Sequence, residues 1–146
     1  MVNFDFPKEI SVDYPVPIPI PGVISLQGSV HFWEDKSLFA SGIHRCFWIT
    51  GVSAGDVRGK HAHWQECQVL VAIAGSVIVN VLSVDGKTHV FSLNDPSVGI
   101  YIPPLNWVEV ICENSAAVLG LSDREFSKED YIRDKDYFEK LKENVR

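Results

Sequence analysis

Residues 55–75 read GDVRGKHAHWQECQVLVAIAG, and this stretch decides the fold. It places His61 and His63 two residues apart, shortly before an apolar run that is typical of a β-strand. On a strand, residues two apart point to the same face and stand about 6–7 Å apart. The two imidazoles can therefore converge on one point in a cavity, either as ligands of one metal ion or as paired acid/base groups.

On both sides of this stretch, short β-rich runs alternate with turn signals from Val23 to Ser122. About eight such runs are present, and none has the periodicity of a helix. Asp85-Gly86 lies between two of them and predicts a hairpin with a type I′ turn, which needs positive φ. In residues 77–82 both alternating faces are mostly apolar, which is typical of a sheet covered on both sides. We therefore predict an all-β sandwich or small barrel.

The N-terminal region is dominated by four alternating prolines, at positions 15, 17, 19 and 21. They force residues 13–22 into an extended arm and remove the N–H donors from one of its edges. Val16, Ile18 and Ile20 remain to pair along the other edge, so the arm can join a sheet as an edge strand, on this subunit or on a partner. A loose tail is the alternative interpretation.

The C-terminal stretch has a different period. Ser127 and Asp130 predict a capping box, and the apolar stripe of residues 134–146 predicts one or two short helices. We divide the chain into an N-terminal extended arm at 1–22 and a single domain with a helical tail at 23–146.

Composition limits the classes of function. The 146 residues are 46% hydrophobic, which suits one globular domain with a core, and a net charge of -6 has the wrong sign for binding a nucleic acid polymer. No stretch approaches the roughly 18 apolar residues of a membrane span, and no secretory leader is apparent. We expect a cytoplasmic protein that binds no membrane. Cys46, Cys67 and Cys112 are widely spaced and odd in number, which favours small buried hydrophobes over disulfides.

The glycines and polar residues of the opening stretch have the spacing of the first motif of the cupin superfamily: Gly55, His61, His63, Gln68 and Gly75. This resemblance implies a jelly-roll barrel. In cupins the motif supplies two histidines and a glutamate to a metal ion, and a later motif supplies a third histidine.

Two of these four ligand positions differ in this chain. Gln68 stands at the glutamate position, and Val108 stands where the third histidine is expected. Because two imidazoles and an amide are a poor ligand set for a hard or borderline cation, we predict no metal and no other cofactor. Cys67 is a possible substitute metal ligand, but a turn that points the Gln68 side chain inward points the Cys67 side chain outward.

A closer resemblance, covering residues 25–140, is to the sugar 3,4-ketoisomerases within the cupins. It rests on these segments in this order: Arg58-Gly59-x-His61-Ala62-His63, Gln68-Val69-Leu70-Val71, Gly75-Ser76, Asp85-Gly86, Val98-Gly99-Ile100-Tyr101, Trp107-x-Glu109 and Asp130-Tyr131-Ile132-Arg133. The resemblance implies an isomerase that moves the ketone of a thymidine diphosphate-linked 4-keto-6-deoxyhexose from C4 to C3, in the synthesis of deoxyamino sugars for surface glycans or antibiotics. It also implies a metal-free homodimer with an exchanged N-terminal strand.

The resemblance gives each candidate residue a role. His63 is expected to take the C3 proton, with His61 as a shuttle or orienting group, through an enediol. Arg58 and Arg45 are expected to stabilise enediolate or diphosphate charge, although each is equally consistent with a structural ion pair. The other expected substrate-binding residues are Gln68, Tyr101 and Trp107, the last of which is also a common core residue.

Several positions depart from the family pattern: Val108 replaces a histidine, Phe47-Trp48 replaces a tyrosine pair, and Gln27-Gly28-Ser29 replaces Arg-Gly-Ser near the nucleotide. These departures leave two alternatives open. One is a cupin that binds a nucleotide sugar without isomerising it, and the other is a metal-dependent cupin enzyme.

Overall fold

The structure is a computed structural model that describes residues 9–113 and 115–146 and consists mainly of antiparallel strands. The first eight residues of the predicted arm lie outside the described residues, and the division of the chain at residue 22 stays a prediction. The strands of the described part are, in chain order, β1 Val16–Pro19, β2 Gly22–Ser25, β3 Gly28–His31, β4 Arg45–Ile49, β5 Val57–His63, β6 Gln68–Ala74, β7 Val77–Ser83, β8 Thr88–Leu93, β9 Val98–Ile102, β10 Asn106–Cys112, β11 Ala117–Ser122 and β12 Tyr131–Ile132.

Two five-stranded sheets enclose the core. One has the order β1-β9-β6-β11-β4 and the other β12-β5-β10-β7-β8, while β2 and β3 form a separate hairpin. Buried side chains of both sheets meet between them, among them Leu70, Val79, Ile100 and Val110. Because the inner faces carry aliphatic residues at alternate positions, each sheet buries its apolar side against the other. The prediction of an all-β, cupin-type jelly roll with short C-terminal helices is confirmed.

The hairpin at Asp85-Gly86 joins β7 to β8, but its turn differs from the predicted type. Only Gly86 has positive φ, at 94°. The amide of Gly86 donates to the carbonyl of Ser83 at 2.8 Å, and the amide of Ser83 donates to the carbonyl of Lys87 at 2.8 Å. These bonds define a type I turn followed by a left-handed glycine, which is a common longer alternative to the type I′ turn.

The proline arm joins the first sheet as its edge strand. In β1, Val16 lies opposite Tyr101 and Ile18 lies opposite Gly99 of β9, and the amide of Ile20 donates to Ser97. Ile20 itself is buried. Proline at alternate positions leaves the outer edge of β1 short of donors, which discourages further strands from pairing there.

The C-terminal stretch forms a short helix, α1, over Lys135–Lys140, between two 3₁₀ turns at Lys128–Asp130 and Leu141–Asn144. The predicted capping box is wrong: the Ser127 side chain makes no capping bond, and Asp134 instead accepts from the amide of Tyr137 at 3.1 Å. Asp130 is unavailable for capping because its carboxylate binds the loop that follows β5.

Two further expectations concern single features. Cys112 is buried and Cys67 is half-buried, but Cys46 is exposed on the edge strand β4, so the prediction of three buried cysteines is wrong for Cys46. Among the described residues, no helix has the length and apolarity needed to cross a bilayer.

Candidate active site

A cavity of about 470 Å³ opens between the two sheets. Its aliphatic floor includes Leu70 and Val110, and its wall is polar and cationic. The charged or hydrogen-bonding residues that line it are Arg45, Arg58, His61, Gln68, Tyr131 and Arg133. Four of the predicted site residues are therefore brought to one cavity from strands β4, β5 and β6.

His61 and His63 lie on one face of β5, as their spacing predicts. Their ring centroids are 4.9 Å apart at an interplanar angle of 78°. His61 lines the cavity, and His63 lies behind it, only 6% exposed. The Tyr131 ring completes the cluster, with its centroid 4.3 Å from that of His63. The Nδ1 atom of each histidine is buried and makes no hydrogen bond of ordinary geometry with a described residue.

Burial is the main influence on the titration of His61. It lowers the pKa of this imidazole from 6.5 to about 4, helped by electrostatic repulsion between a protonated His61 and its neighbours His63, Arg133 and Arg45. Near neutrality His61 is therefore a neutral ring that faces the cavity and is able to accept a proton.

His63 lies between two carboxylates that the sequence analysis did not identify. Its Nε2 lies 3.2 Å from Oε2 of Glu66, and its Nδ1 lies 3.5 Å from Oδ2 of Asp130. Gln68 also approaches, with its amide nitrogen 3.3 Å from Nε2 of His63. The inward orientation of Gln68 agrees with the prediction.

Asp130 holds the turn that follows β5. Its carboxylate accepts from the amides of Gln65 at 2.9 Å and of Glu66 at 3.0 Å. Two backbone donors that a tight turn leaves unpaired are thereby satisfied. Asp130 is the residue that precedes Tyr131 and Arg133 of the cavity wall, so a C-terminal segment completes the site. Its membership of the Asp-Tyr-Ile-Arg motif was the one sequence signal for this role.

A backbone irregularity in β5 sets the position of His61. Gly59 and Lys60 both have positive φ, at 91° and 59°, and the pairing with β10 shifts register between Val108 and Glu109. A Cβ at position 59 would lie 2.7 Å from the carbonyl oxygen of Val108. Bulges of this kind redirect side chains, and they are frequent beside active sites.

The three arginines of the wall differ in what they contact. Arg45 donates to Glu66 at 2.9 Å and lies between the rings of Phe47 and Phe126, so its charge is largely committed within the protein. Arg58 and Arg133 are exposed and form no ion pair with a described carboxylate. They are the arginines available for a bound anion.

Tyr101 and Trp107 do not line the cavity, contrary to the prediction. Tyr101 lies on the outer face of its sheet, with its ring 6.3 Å from that of Phe39. Trp107 is 3% exposed and packs on Phe138 beneath the C-terminal helix, 5.8 Å between ring centroids. The reason is strand alternation: Val108, the next residue, takes the inward position and leaves Trp107 on the other face.

The positions that depart from the family pattern are distributed over two regions. Val108 and Phe47 contribute apolar surface to the cavity, and Trp48 forms part of its rim with 69% of its surface exposed. Gln27 and Gly28 lie at the turn between β2 and β3 and do not contact the cavity of the same chain.

The donor set does not fit a metal ion. Gln68 offers an amide, Val108 offers no ligand atom, and the Glu66 carboxylate is already bound by Arg45 and Gln68. Among the described residues, no three His, Cys, Asp or Glu side chains are arranged to hold a metal ion.

Comparisons with known proteins identify the family of this chain. The family described as FdtA, WxcM-like, C-terminal, matches residues 17–143. A TDP-4-oxo-6-deoxy-alpha-D-glucose-3,4-oxoisomerase from Aneurinibacillus thermoaerophilus is 32% identical over 119 residues, which is 81% of this chain and 85% of that relative.

Solved structures of similar proteins cover almost the same region. A sugar 3,4-ketoisomerase from Thermoanaerobacterium thermosaccharolyticum, solved in complex with TDP, has a TM-score of 0.81 and 31% identity over 88% of this chain and 94% of that one. A 3,4-ketoisomerase from Helicobacter canadensis has a TM-score of 0.80 and 25% identity over 88% of this chain and 97% of that one. This chain therefore belongs to the FdtA family and is a sugar 3,4-ketoisomerase of cupin fold.

Proposed function

We propose that the enzyme acts on a thymidine diphosphate-linked 4-keto-6-deoxyhexose and moves its ketone from C4 to C3 by histidine acid/base catalysis without a metal. The observation that carries this proposal is the histidine pair of β5: His61 lines the cavity and His63 lies directly behind it, with 4.9 Å between the two ring centroids. The named activities of the relatives support the choice of substrate. Deoxysugar synthesis is the corresponding process.

The reaction needs only proton transfers. A base removes the proton from C3, the C–H electron pair forms a C3–C4 double bond, and the C4 ketone oxygen gains a proton to give an enediol. The C3 hydroxyl then loses its proton as C3 becomes the ketone, and a proton is delivered to C4. We assign the base to His63 and the shuttling or orienting role to His61, which is the ring that lines the cavity.

The cationic wall suits the charge of this substrate. Arg58 and Arg133, which have no carboxylate partner in the described part of the chain, are suited to bind the diphosphate. Gln68 lines the cavity beside His63 and is suited to hydrogen-bond the developing enolate oxygen. Arg45 supports the site through Glu66.

We further propose a homodimer and a cytoplasmic location. Because β1 pairs with β9 of its own chain, the N-terminal element exchanged between the subunits is the β2–β3 hairpin. Support for the dimer comes from the β2–β3 hairpin, on which Val23, Ile24, Leu26 and Val30 are exposed. A separate two-stranded hairpin with so much apolar surface is only marginally stable by itself and suits burial against a second copy. The Gln27 region would then approach the partner's cavity.

The test is to incubate the protein with thymidine diphosphate 4-keto-6-deoxyglucose in D₂O and to follow the sugar protons by NMR. We expect a 3-keto product that carries deuterium. His63→Asn is expected to reduce the rate roughly a hundredfold or more, because a general base is lost. His61→Asn, measured in parallel, separates the base from the shuttle.

An unchanged sugar spectrum with the wild-type protein would contradict the proposed substrate. A variant His63→Asn with near-native turnover, and with the melting temperature of the wild type, would place the base elsewhere.

A further inference from the structure

We propose that the apolar floor of the cavity binds the C6 methyl group of the sugar and selects 6-deoxy sugars against sugars that carry a hydroxyl at C6. The floor consists of the side chains of Phe47, Leu70, Val108 and Val110. The proposal rests on the proposed function, because it assumes that the sugar of a nucleotide-linked 6-deoxyhexose occupies this cavity.

Both sheets contribute to the floor. In the first sheet, Leu70 of β6 and Phe47 of β4 lie on either side of Gly120 of β11, which is paired with both. In the second sheet, Val108 and Val110 are two residues apart on β10 and therefore point to the same face. Leu70, Val108 and Val110 are 3%, 7% and 3% exposed, so the floor is the deep end of the cavity.

The glycine at position 120 makes room for the ring of Phe47. A Cβ at this position would collide with Cζ, Cε1 and Cε2 of that ring. The end of the ring therefore occupies the space that a larger residue would fill. Because β11 lies between β4 and β6, the ring bridges the gap between Phe47 and Leu70 and makes the apolar surface continuous.

The floor lies beside the reacting end of the substrate. Val108 lies opposite His61 in the pairing of β10 with β5, and residues opposite each other in a sheet are neighbours on one face. Arg58 and Arg133, which are suited to bind the diphosphate, are exposed. The sugar therefore lies between an exposed cationic end and a buried apolar end.

The C6 methyl is the one substituent of the sugar that suits this floor. The others are hydroxyls, a ketone and the anomeric oxygen, and burying such a group without a hydrogen-bond partner costs free energy. The four floor side chains offer no donor or acceptor. C6 is bonded to C5, the neighbour of C4, so a methyl group on the floor leaves C3 and C4 near His61. The thymine methyl lies across the diphosphate, toward the exposed end.

Core packing alone explains why apolar side chains lie between two sheets. It does not explain why these four line an open cavity, since core side chains ordinarily fill the space between sheets and contact one another. An apolar surface left uncovered inside the barrel suits an apolar part of a ligand.

The first test measures the binding of two probes by isothermal titration calorimetry. The probes are thymidine diphosphate 6-deoxyglucose and thymidine diphosphate glucose, which differ only in the 6-hydroxyl. Neither has a ketone, so neither is isomerised. We expect the wild-type protein to bind the 6-deoxy probe roughly ten- to a hundredfold more tightly, because the floor leaves a 6-hydroxyl without a partner.

Val108→Thr places a hydroxyl in the floor at nearly constant volume. It is expected to reduce the preference severalfold, because threonine can hydrogen-bond the 6-hydroxyl. The matched control is Val90→Thr, the same change at an exposed position of β8, which is expected to keep the wild-type preference. Should Val108→Thr fail to fold, Val108→Ala takes its place, since the space that it opens can hold a water molecule beside a 6-hydroxyl.

A second measurement locates the methyl group in the wild-type protein. With ¹³C-labelled valine and leucine methyl groups, nuclear Overhauser effects are expected between the C6 methyl of bound thymidine diphosphate 6-deoxyglucose and the methyl groups of Leu70, Val108 and Val110. The proposal is overturned if these side chains contact the thymine methyl instead, or contact neither methyl group.

Equal affinity of the wild-type protein for the two probes, no binding of either probe, or an unchanged preference in the folded Val108 variant would also overturn it. If the wild-type protein isomerises the keto sugar but binds both probes equally, the role of the floor fails and the proposed function stands. If the keto sugar is left unchanged but the 6-deoxy probe is preferred and contacts the floor, the proposed reaction fails and the role of the floor stands.

Discussion

At the scale of single residues, the burial of His61 links folding to pH. The folded state lowers the pKa of this ring to about 4, whereas the unfolded chain has the ordinary value of 6.5. Between these values the unfolded chain binds a proton that the folded chain does not. The stability that His61 contributes is therefore fully present above about pH 6.5 and is lost as the pH falls toward 4.

We predict that His61→Gln weakens the pH dependence of folding. Between about pH 6.5 and about pH 5, the wild-type protein is expected to lose roughly 1 to 2 kcal/mol of unfolding free energy more than the variant. Urea unfolding at a series of pH values measures this difference. Equal losses in the two proteins would contradict it.

Some residues of the site could be predicted from the sequence, and others could not. His61 and His63 were predictable because a two-residue spacing fixes their common face, whatever the strand pairs with. Tyr101 and Trp107 were misplaced because the choice between inner and outer face depends on which neighbour packs inward. Glu66 was missed because it belongs to a turn, where no periodicity indicates direction, and its partner Arg45 lies 21 residues away.

At the scale of elements, the bulge at Gly59 holds β5 against β10. We predict that Gly59→Ala destabilises the protein by roughly 1–3 kcal/mol more than Gly55→Ala. Both glycines have positive φ, at 91° and 85°, but a Cβ meets the Val108 carbonyl only at position 59 and open space at position 55. The comparison therefore isolates the steric clash from the backbone strain.

Thermal or urea unfolding of the two variants measures the difference, and activity shows whether His61 moves. Equal destabilisation by the two substitutions would mean that the bulge adapts to a Cβ.

Turns and helix ends could be predicted from the sequence where neighbouring residues determine them. They could not be predicted where a residue needed locally binds a distant segment of the chain. The hairpin at Asp85-Gly86 was predicted correctly, but its loop is one residue longer than a type I′ turn. Local sequence signals determine where the chain reverses direction more firmly than they determine the turn type. The helix cap was wrong because Asp130 binds the amides of Gln65 and Glu66, a tertiary role that outcompetes local capping.

At the scale of the whole molecule, the exposed β2–β3 hairpin predicts association. We expect the wild-type protein to sediment as a homodimer and the double variant Ile24→Asp/Leu26→Asp to sediment as a monomer, because charges at these positions oppose burial. The two side chains are 78% and 101% exposed in the single chain. Analytical ultracentrifugation makes the measurement.

The matched control is Thr88→Asp/Val90→Asp, which adds the same two charges at exposed positions of β8, away from the hairpin. It is expected to remain a dimer. A monomeric wild-type protein would contradict the proposed dimer. A double variant that is still a dimer would show that the interface does not include the β2–β3 hairpin.

The bond between Asp130 and Glu66 joins residues 64 positions apart in the chain. A ribosome synthesises a protein from its N-terminus, so the histidines are made long before the carboxylate that braces their turn and before Tyr131 and Arg133 of the cavity wall. The cavity can therefore be completed only after the segment around residue 130 has been synthesised and has docked on the turn that follows β5.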